Sequence, residues 1–174
     1  MKKVTFIEAI TQALDEEMAR DERVFLLGED IGLYGGVFKA TKGLLDKYGA
    51  ERVIDTPISE VYIAGGSVGA AMVGMRPVPE IQFADFITPS MDQIIQQMAK
   101  IRYRTGGQWT CPVTMRVCCG ADIGGGLYHS QTNEQWFVSQ PGLIVVMPAT
   151  PYDAKGLLKS AIRGDDPVIC SHAD

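Results

Sequence analysis

The chain has 174 residues, 46% of them apolar, with 16 basic against 21 acidic side chains and a formal charge of −5. That is one domain of ordinary size with enough apolar material for its own core. The acidic balance argues against nucleic acid or an anionic membrane surface as the main partner. No secretory-type apolar run follows Met1, and the longest uncharged stretch, 135–152, is broken by Pro141, Pro148 and Pro151, which suits no membrane helix. Cys111, Cys118, Cys119 and Cys170 lack metal-type spacing and are expected as reduced thiols in a cytoplasmic protein.

Taken in chain order, Thr5-Phe6-Ile7-Glu8 has the form of a capping box, and Ile7, Ile10, Leu14 and Met18 recur behind it at helical spacing. Val24-Phe25-Leu26-Leu27 predicts a buried strand stopped at Gly28. A helix is predicted over 37–48, closed by Gly49, and a short strand at Val53-Ile54-Asp55. The segment 60–74 places Gly65, Gly66, Gly69, Ala70, Ala71 and Gly74 at roughly helical spacing. Each glycine weakens an isolated helix by up to about 1 kcal/mol, a cost tolerated where another backbone or a ligand must come close. A strand over 77–83, a long helix from 90 to about 103 and a strand over 112–117 follow. A glycine-rich loop (120–126), a short helix (132–138), a strand (143–147), a helix with Pro151 in its first turn (151–163) and a strand (167–171) complete the series. Strands alternating with helices at this rhythm predict an α/β fold of three layers, a mainly parallel sheet with helices on both faces. Ligands of such sheets bind beyond the carboxyl ends of the strands, which directs attention to 28–30, 59–60, 84–86 and 120–129.

No Walker A sequence, no GxGxxG turn after the first strand and no GxSxG elbow is present. Gly164-Asp165-Asp166 begins like a diphosphate–magnesium motif, but no Asn follows it. The chain therefore offers no evident phosphate cradle. Three features remain. Asp55-Thr56-Pro57-Ile58-Ser59-Glu60 puts an acid at a strand-to-helix junction, where it either complements the helix dipole or carries chemistry. Glu80-Ile81-Gln82-Phe83-Ala84-Asp85-Phe86 ends a strand in an acid beside aromatics, either a core strand with a solvated terminus or a ligand-facing edge. Gly124-Gly125-Gly126-Leu127-Tyr128-His129-Ser130-Gln131 presents a histidine on a glycine-rich loop, suited to proton transfer or to an ordinary surface position.

These segments, with Leu27-Gly28-Glu29-Asp30, Gly35-Gly36-Val37-Phe38, Asp92-Gln93-Ile94, Ala99-Lys100-Ile101-Arg102-Tyr103, Pro141-Gly142-Leu143 and Asp166-Pro167-Val168-Ile169, occur in an order that resembles one family along the whole chain. It is the N-terminal pyrimidine-binding domain of the E1 beta subunit of thiamine-diphosphate-dependent 2-oxo acid dehydrogenases, with pyruvate, branched-chain and acetoin dehydrogenases as relatives. The Glu-Ile-Gln-Phe-Ala-Asp and Tyr-His-Ser-Gln wording leans toward the branched-chain type.

The resemblance implies oxidative decarboxylation of a 2-oxo acid with acyl transfer to a lipoyl-E2 partner. It implies thiamine diphosphate as cofactor, with the diphosphate and Mg²⁺ held mainly by an E1 alpha subunit, and a beta–beta dimer within an alpha2beta2 heterotetramer. Glu60 is expected to hydrogen-bond N1′ of the aminopyrimidine and share its proton there, and Phe86 to stack on that ring. His129 is expected to face the substrate, Glu29 to line an acidic passage toward the second site, and Ile58 to touch the cofactor. Family members with a potassium site use groups near Val113, Ala161 and Asp166; Gly164 stands where a side-chain ligand belongs, so no metal is expected.

Val61-Tyr62 departs from the small or flexible pair that often follows the catalytic acid, and Tyr62 is expected to narrow the pocket or alter a dimer contact. Cys118-Cys119 departs from the usual loop wording and is read as buried, inert thiol. By this resemblance residues 1–174 are expected to correspond to the pyrimidine domain alone, with the family's C-terminal domain absent from this chain. Two other readings stay open: half of a split transketolase-like enzyme acting on sugar phosphates, and a non-catalytic assembly subunit or fragment.

Overall fold

A computed structural model describes residues 3–120 and 123–172. The strands are β1 (Val24–Gly28), β2 (Val53–Asp55), β3 (Arg76–Ile81), β4 (Thr114–Cys118), β5 (Ile144–Val146) and β6 (Val168–His172). They form one sheet in the order β2-β1-β3-β4-β6-β5, every pair parallel. The α-helices are α1 (Phe6–Arg20), α2 (Leu44–Tyr48), α3 (Glu60–Met72), α4 (Ile101–Arg104), α5 (Gln135–Val138) and α6 (Pro151–Arg163). The expected fold class is the one found.

The sheet separates two cores. On one face α1, α2 and α6 bury Ile10, Leu14, Met18, Leu44, Leu158 and Ile162 against Leu26, Val78 and Cys170. On the other, α3 and the segment behind it bury Ile63, Val68, Ile94, Met98 and Phe137 against Ile81, Met115, Val117 and Ile169. Strands covered on both faces are buried along their length, as β1 and β4 are; β1 reads as a continuous apolar run, whereas β4 carries the buried Arg116.

The termini of α1 and α6 follow the sequence. Thr5 Oγ1 accepts the Glu8 N–H (3.2 Å) while the Glu8 carboxylate accepts the Thr5 N–H (2.7 Å), closing the predicted capping box. Thr150 caps α6 through the Asp153 N–H (3.1 Å), with Pro151 in the first turn. The two helices are clasped by the fully buried Glu17, which accepts from Arg163 (2.6 and 2.9 Å) and Arg20 (2.6 Å). Burial would raise the Glu17 carboxyl, but the Arg163 and Arg20 hydrogen bonds outweigh it and hold the group below its ordinary value.

β3 is a central strand that contains Pro77 and Pro79, where proline is rarely admitted. The Arg76 N–H bonds to Arg23 O (2.9 Å), so even-numbered residues of β3 bond toward β1 and odd-numbered ones face β4. The missing proline N–H groups thus fall on the β4 side, where pairing begins only at Glu80↔Arg116, beyond both prolines.

Two predicted helices differ. Of 37–48 only α2 is helical, because Lys39 (φ 67°) and Gly43 (φ 83°) turn the chain left-handed on the way. The stretch expected as one helix from 90 to about 103 starts at the end of a 3-10 helix (Ala84–Ser90) and continues as a π-helix (Gln93–Met98) and then α4. The i−5 bond from the Ala99 N–H to Ile94 O (3.0 Å) marks the widened turn. All four cysteines are buried and none is in a disulfide, in line with the reduced thiols expected from sequence.

Candidate active site at the carboxyl edge of the sheet

β1 delivers Glu29 directly after Gly28. The residue is 8% exposed, and its carboxyl is pushed upward, first by burial, then by the nearby Glu60 and Asp30 carboxylates, while a hydrogen bond from the Ser59 backbone N–H opposes them. Glu29 is held from two sides. Gln82 Nε2 at the end of β3 donates to Glu29 O (3.2 Å), and the Thr56 N–H after β2 donates to Gly28 O (2.9 Å). Asp55, the last residue of β2, accepts the Gly32 N–H (2.6 Å) and anchors the loop after β1. A Cβ at Gly32 would run into that carboxylate.

Glu60 is the first residue of α3 and half-buried; Ser59 before it makes no side-chain cap. The acid therefore stands at a helix start whose first N–H groups have no capping side chain. Gly65 lets α3 approach the π-helix, since a Cβ there would sit 3.1 Å from Gln93 Oε1. Ile58, in the loop leading to α3, is 83% exposed. Tyr62 points outward, largely exposed.

Past β3, Phe83 and Phe86 lie three residues apart where the strand turns into the 3-10 helix, a spacing that brings side chains into line. His129 meets both edge-on: its ring centroid is 4.7 Å from Phe83 and 5.2 Å from Phe86, with Phe83 and Phe86 5.9 Å apart. Phe38 closes the group from beyond Phe83 at 5.7 Å. The glycine-rich loop carries His129 to this position. The Gly125 N–H donates to Ser130 Oγ (3.0 Å), the Gln131 N–H to Asp85 (3.3 Å), and Asn133 Nδ2 to Ala84 O (2.9 Å). His129 Cβ occupies the space that a Cβ at Gly125 would need. Residues 121 and 122 of the predicted loop lie outside the described residues.

The sequence candidates thus gather into two groups on one edge: the Glu29–Glu60 acid pair, and the Phe86–His129 pair. They are linked because α3 packs against the 3-10 helix that carries Phe86. Sequence reasoning missed Phe83, although its i, i+3 spacing to Phe86 was a usable signal. It also missed Gln82 as the tie that holds Glu29. Beneath the edge, Glu80 and Arg116 form an ion pair of 2.5 Å between side chains 4% and 2% exposed, with His172 Nε2 3.3 Å from the guanidinium. A cavity of about 810 Å³ lies elsewhere, at the amino edge of the sheet around Met98, Tyr103, Gly107 and Gly142. It gathers no proton-carrying cluster, since its Asp166 is paired with Arg102 (2.6 Å). Among the described residues no cluster of three His, Cys, Asp or Glu could hold a metal, and no helix is long and apolar enough to cross a membrane.

This donor set, a carboxyl group, helix-start N–H groups and aromatic rings, suits a flat protonatable heterocycle. Comparison with known proteins agrees in kind. The 2-oxoisovalerate dehydrogenase subunit beta of Bacillus subtilis is 58% identical over 97% of this chain and 52% of its own length. The pyruvate dehydrogenase E1 component subunit beta of the same organism is 50% identical over the same shares. A solved split gene transketolase, an inactive beta4 tetramer, superposes with a TM-score of 0.73 over 98% of this chain and 51% of its own, at 20% identity, which speaks to the fold. The chain spans about half the length of the curated relatives it matches. The family described as transketolase, pyrimidine binding domain, matches residues 2–171, and the chain belongs to it.

Proposed function

We propose that this chain supplies the aminopyrimidine half of a thiamine-diphosphate site in the E1 beta component of a 2-oxo acid dehydrogenase, acting on a branched-chain 2-oxo acid. Thiamine diphosphate, when bound, supplies the electron sink that decarboxylation of a 2-oxo acid requires. The observation that carries the reading is the convergence of Glu60, Phe86 and His129 on one sheet edge, in a sequence 58% identical to a 2-oxoisovalerate dehydrogenase beta subunit. The sequence carries no Walker A, GxGxxG or complete diphosphate–magnesium motif, and in this reading the diphosphate and Mg²⁺ fall to a partner E1 alpha subunit, so that the chain alone is inactive.

In this reading Glu60 holds and exchanges a proton with the pyrimidine ring. Phe86 and Ile58 orient that ring and exclude water. Glu29, neutral more readily than an ordinary glutamic acid because it is buried beside Glu60, keeps a second proton close to the first. His129, on the aromatic side, donates or accepts a proton at the substrate while the acyl group leaves for a lipoyl arm. The apolar side chains exposed around the edge, Leu33, Tyr34, Tyr62, Leu127 and Tyr128, are the surface an alpha subunit would cover in an alpha2beta2 assembly with a beta–beta contact.

The test is titration calorimetry with thiamine diphosphate and Mg²⁺, with and without an alpha chain, followed by 2-oxo acid-dependent reduction of an artificial acceptor. Binding should require the alpha chain. E60Q should retain cofactor and lose about 10²- to 10⁴-fold in turnover. Tight binding by the chain alone, or an E60Q protein as active as the parent, refutes the proposal.

A further inference from the structure

We propose that Phe83 is a positioning residue for His129, setting the plane of the imidazole for the reaction. This rests on the reading of His129 as the substrate-side proton carrier. Among the described residues no polar side chain bonds the imidazole, so its orientation about the Cβ–Cγ bond is set by packing. Two rings do that packing. Phe83 is the nearer, at 4.7 Å and 85°, against 5.2 Å and 86° for Phe86.

Phe83 is also the better fixed of the two. Its backbone is extended (φ −137°, ψ 140°) at the cap position of the 3-10 helix, two residues past β3. Phe38 stands edge-on to it at 5.7 Å and 73°, and Phe86 at 5.9 Å and 86°. Phe83 is therefore the one ring that touches all three others. The loop fixes only the other end of His129, where its Cβ fills the space over Gly125. A proton carrier anchored at Cβ and free about its ring bond would spend most of its time misaimed. Edge-to-face contact with two rings removes that freedom without placing a competing hydrogen-bond partner on either nitrogen.

The chain has two histidines, His129 and His172, so the ring resonances of a histidine-labelled sample are assigned with one H129N control. In the parent, the His129 ring protons should lie upfield or downfield of free histidine by several tenths of a ppm, as rings at these distances produce. F83L should collapse that displacement, and F83Y should keep it. In the complex reconstituted with an alpha chain, F83L should lower kcat about 10-fold with KM for the 2-oxo acid changed less than about twofold, as expected for misaiming rather than lost binding. F83Y should recover most of kcat. His129 resonances unchanged in F83L overturn the positioning role, and so does a kcat unchanged by F83L. Turnover undiminished in H129N would instead overturn the reading of His129 itself, which the resonance measurement does not depend on.

Discussion

The ion pair beneath the site gives the sharpest stability prediction. Glu80 and Arg116 meet at 2.5 Å with side chains 4% and 2% exposed, and the register places them side by side on β3 and β4. E80M keeps the side-chain volume and removes the charge, so the change isolates electrostatics from packing. A guanidinium that has lost its carboxylate at such burial destabilises by about 3–5 kcal/mol. For a domain of this size each kcal/mol shifts Tm by about 2–4 °C, so the variant should melt about 6–20 °C lower. The double change E80M/R116M removes both charges and should recover much of that loss, because apolar replacement of a complete buried pair is often close to neutral. Thermal and urea unfolding of parent, single and double variants measure it. A single variant within about 2 °C of the parent, or a double variant no more stable than the single one, would refute the view that the loss comes from a buried guanidinium deprived of its carboxylate.

Three further outcomes follow from the geometry. Because the Glu29 carboxyl is raised in the folded state, the fold binds its proton more tightly than the unfolded chain does. Its contribution is complete below the ordinary glutamate range and is lost as pH rises through the raised value. E29Q should therefore exceed the parent in stability at neutral pH and converge with it in acid; a gap independent of pH in denaturation curves would refute the sign. Gly142 has φ 95°, and a Cβ there would overlap the Ala99 carbonyl oxygen, so G142A should lose at least about 2 kcal/mol in urea unfolding, and no loss would contradict that packing. The Cys111 thiol is pushed up to about 12 by burial, and with Cys118, Cys119 and Cys170 also buried, a thiol reagent should label the native chain only as fast as it unfolds.

What could be read from the sequence depended on range. The capping box at Thr5 and Glu8 and the helix with Pro151 in its first turn are local, and both formed as expected. The helix expected over 37–48 failed because apolar spacing says nothing about the sign of φ. Lys39 and Gly43 take the left-handed region, and the path is fixed instead by Thr41 donating to Ile31 O (2.6 Å), ten residues back. The 90–103 stretch kept its buried face, with Ile94, Met98 and Ile101 inside, while its backbone changed helix type twice; periodicity reports the face and not the hydrogen-bond ladder. In the site, Glu60 was legible from its place before a small-residue helix. Its nearness to Glu29 was not, because 31 positions separate them and only the β1–β2 crossover brings them together. Phe83 was passed over as the end of a strand because its partners, His129 and Phe38, lie far away in sequence.

The pairing of α1 with α6 also fixes when this domain can fold. The core on their face draws on Ile10, Leu14 and Met18 from the start of the chain and on Ala154, Leu158, Ile162 and Cys170 from its far end. A growing polypeptide that has completed β1, β2 and β3 still presents that apolar surface uncovered, and the clasp at Glu17 waits for Arg163. Parallel strands give no hairpin to hold early gains, so every pairing must first close a long loop. Assembly is accordingly late and all-or-none during synthesis. A nascent chain stalled before β6 is complete at residue 172 should be a client of chaperones, whereas one extended beyond it should gain protease resistance throughout this domain at once.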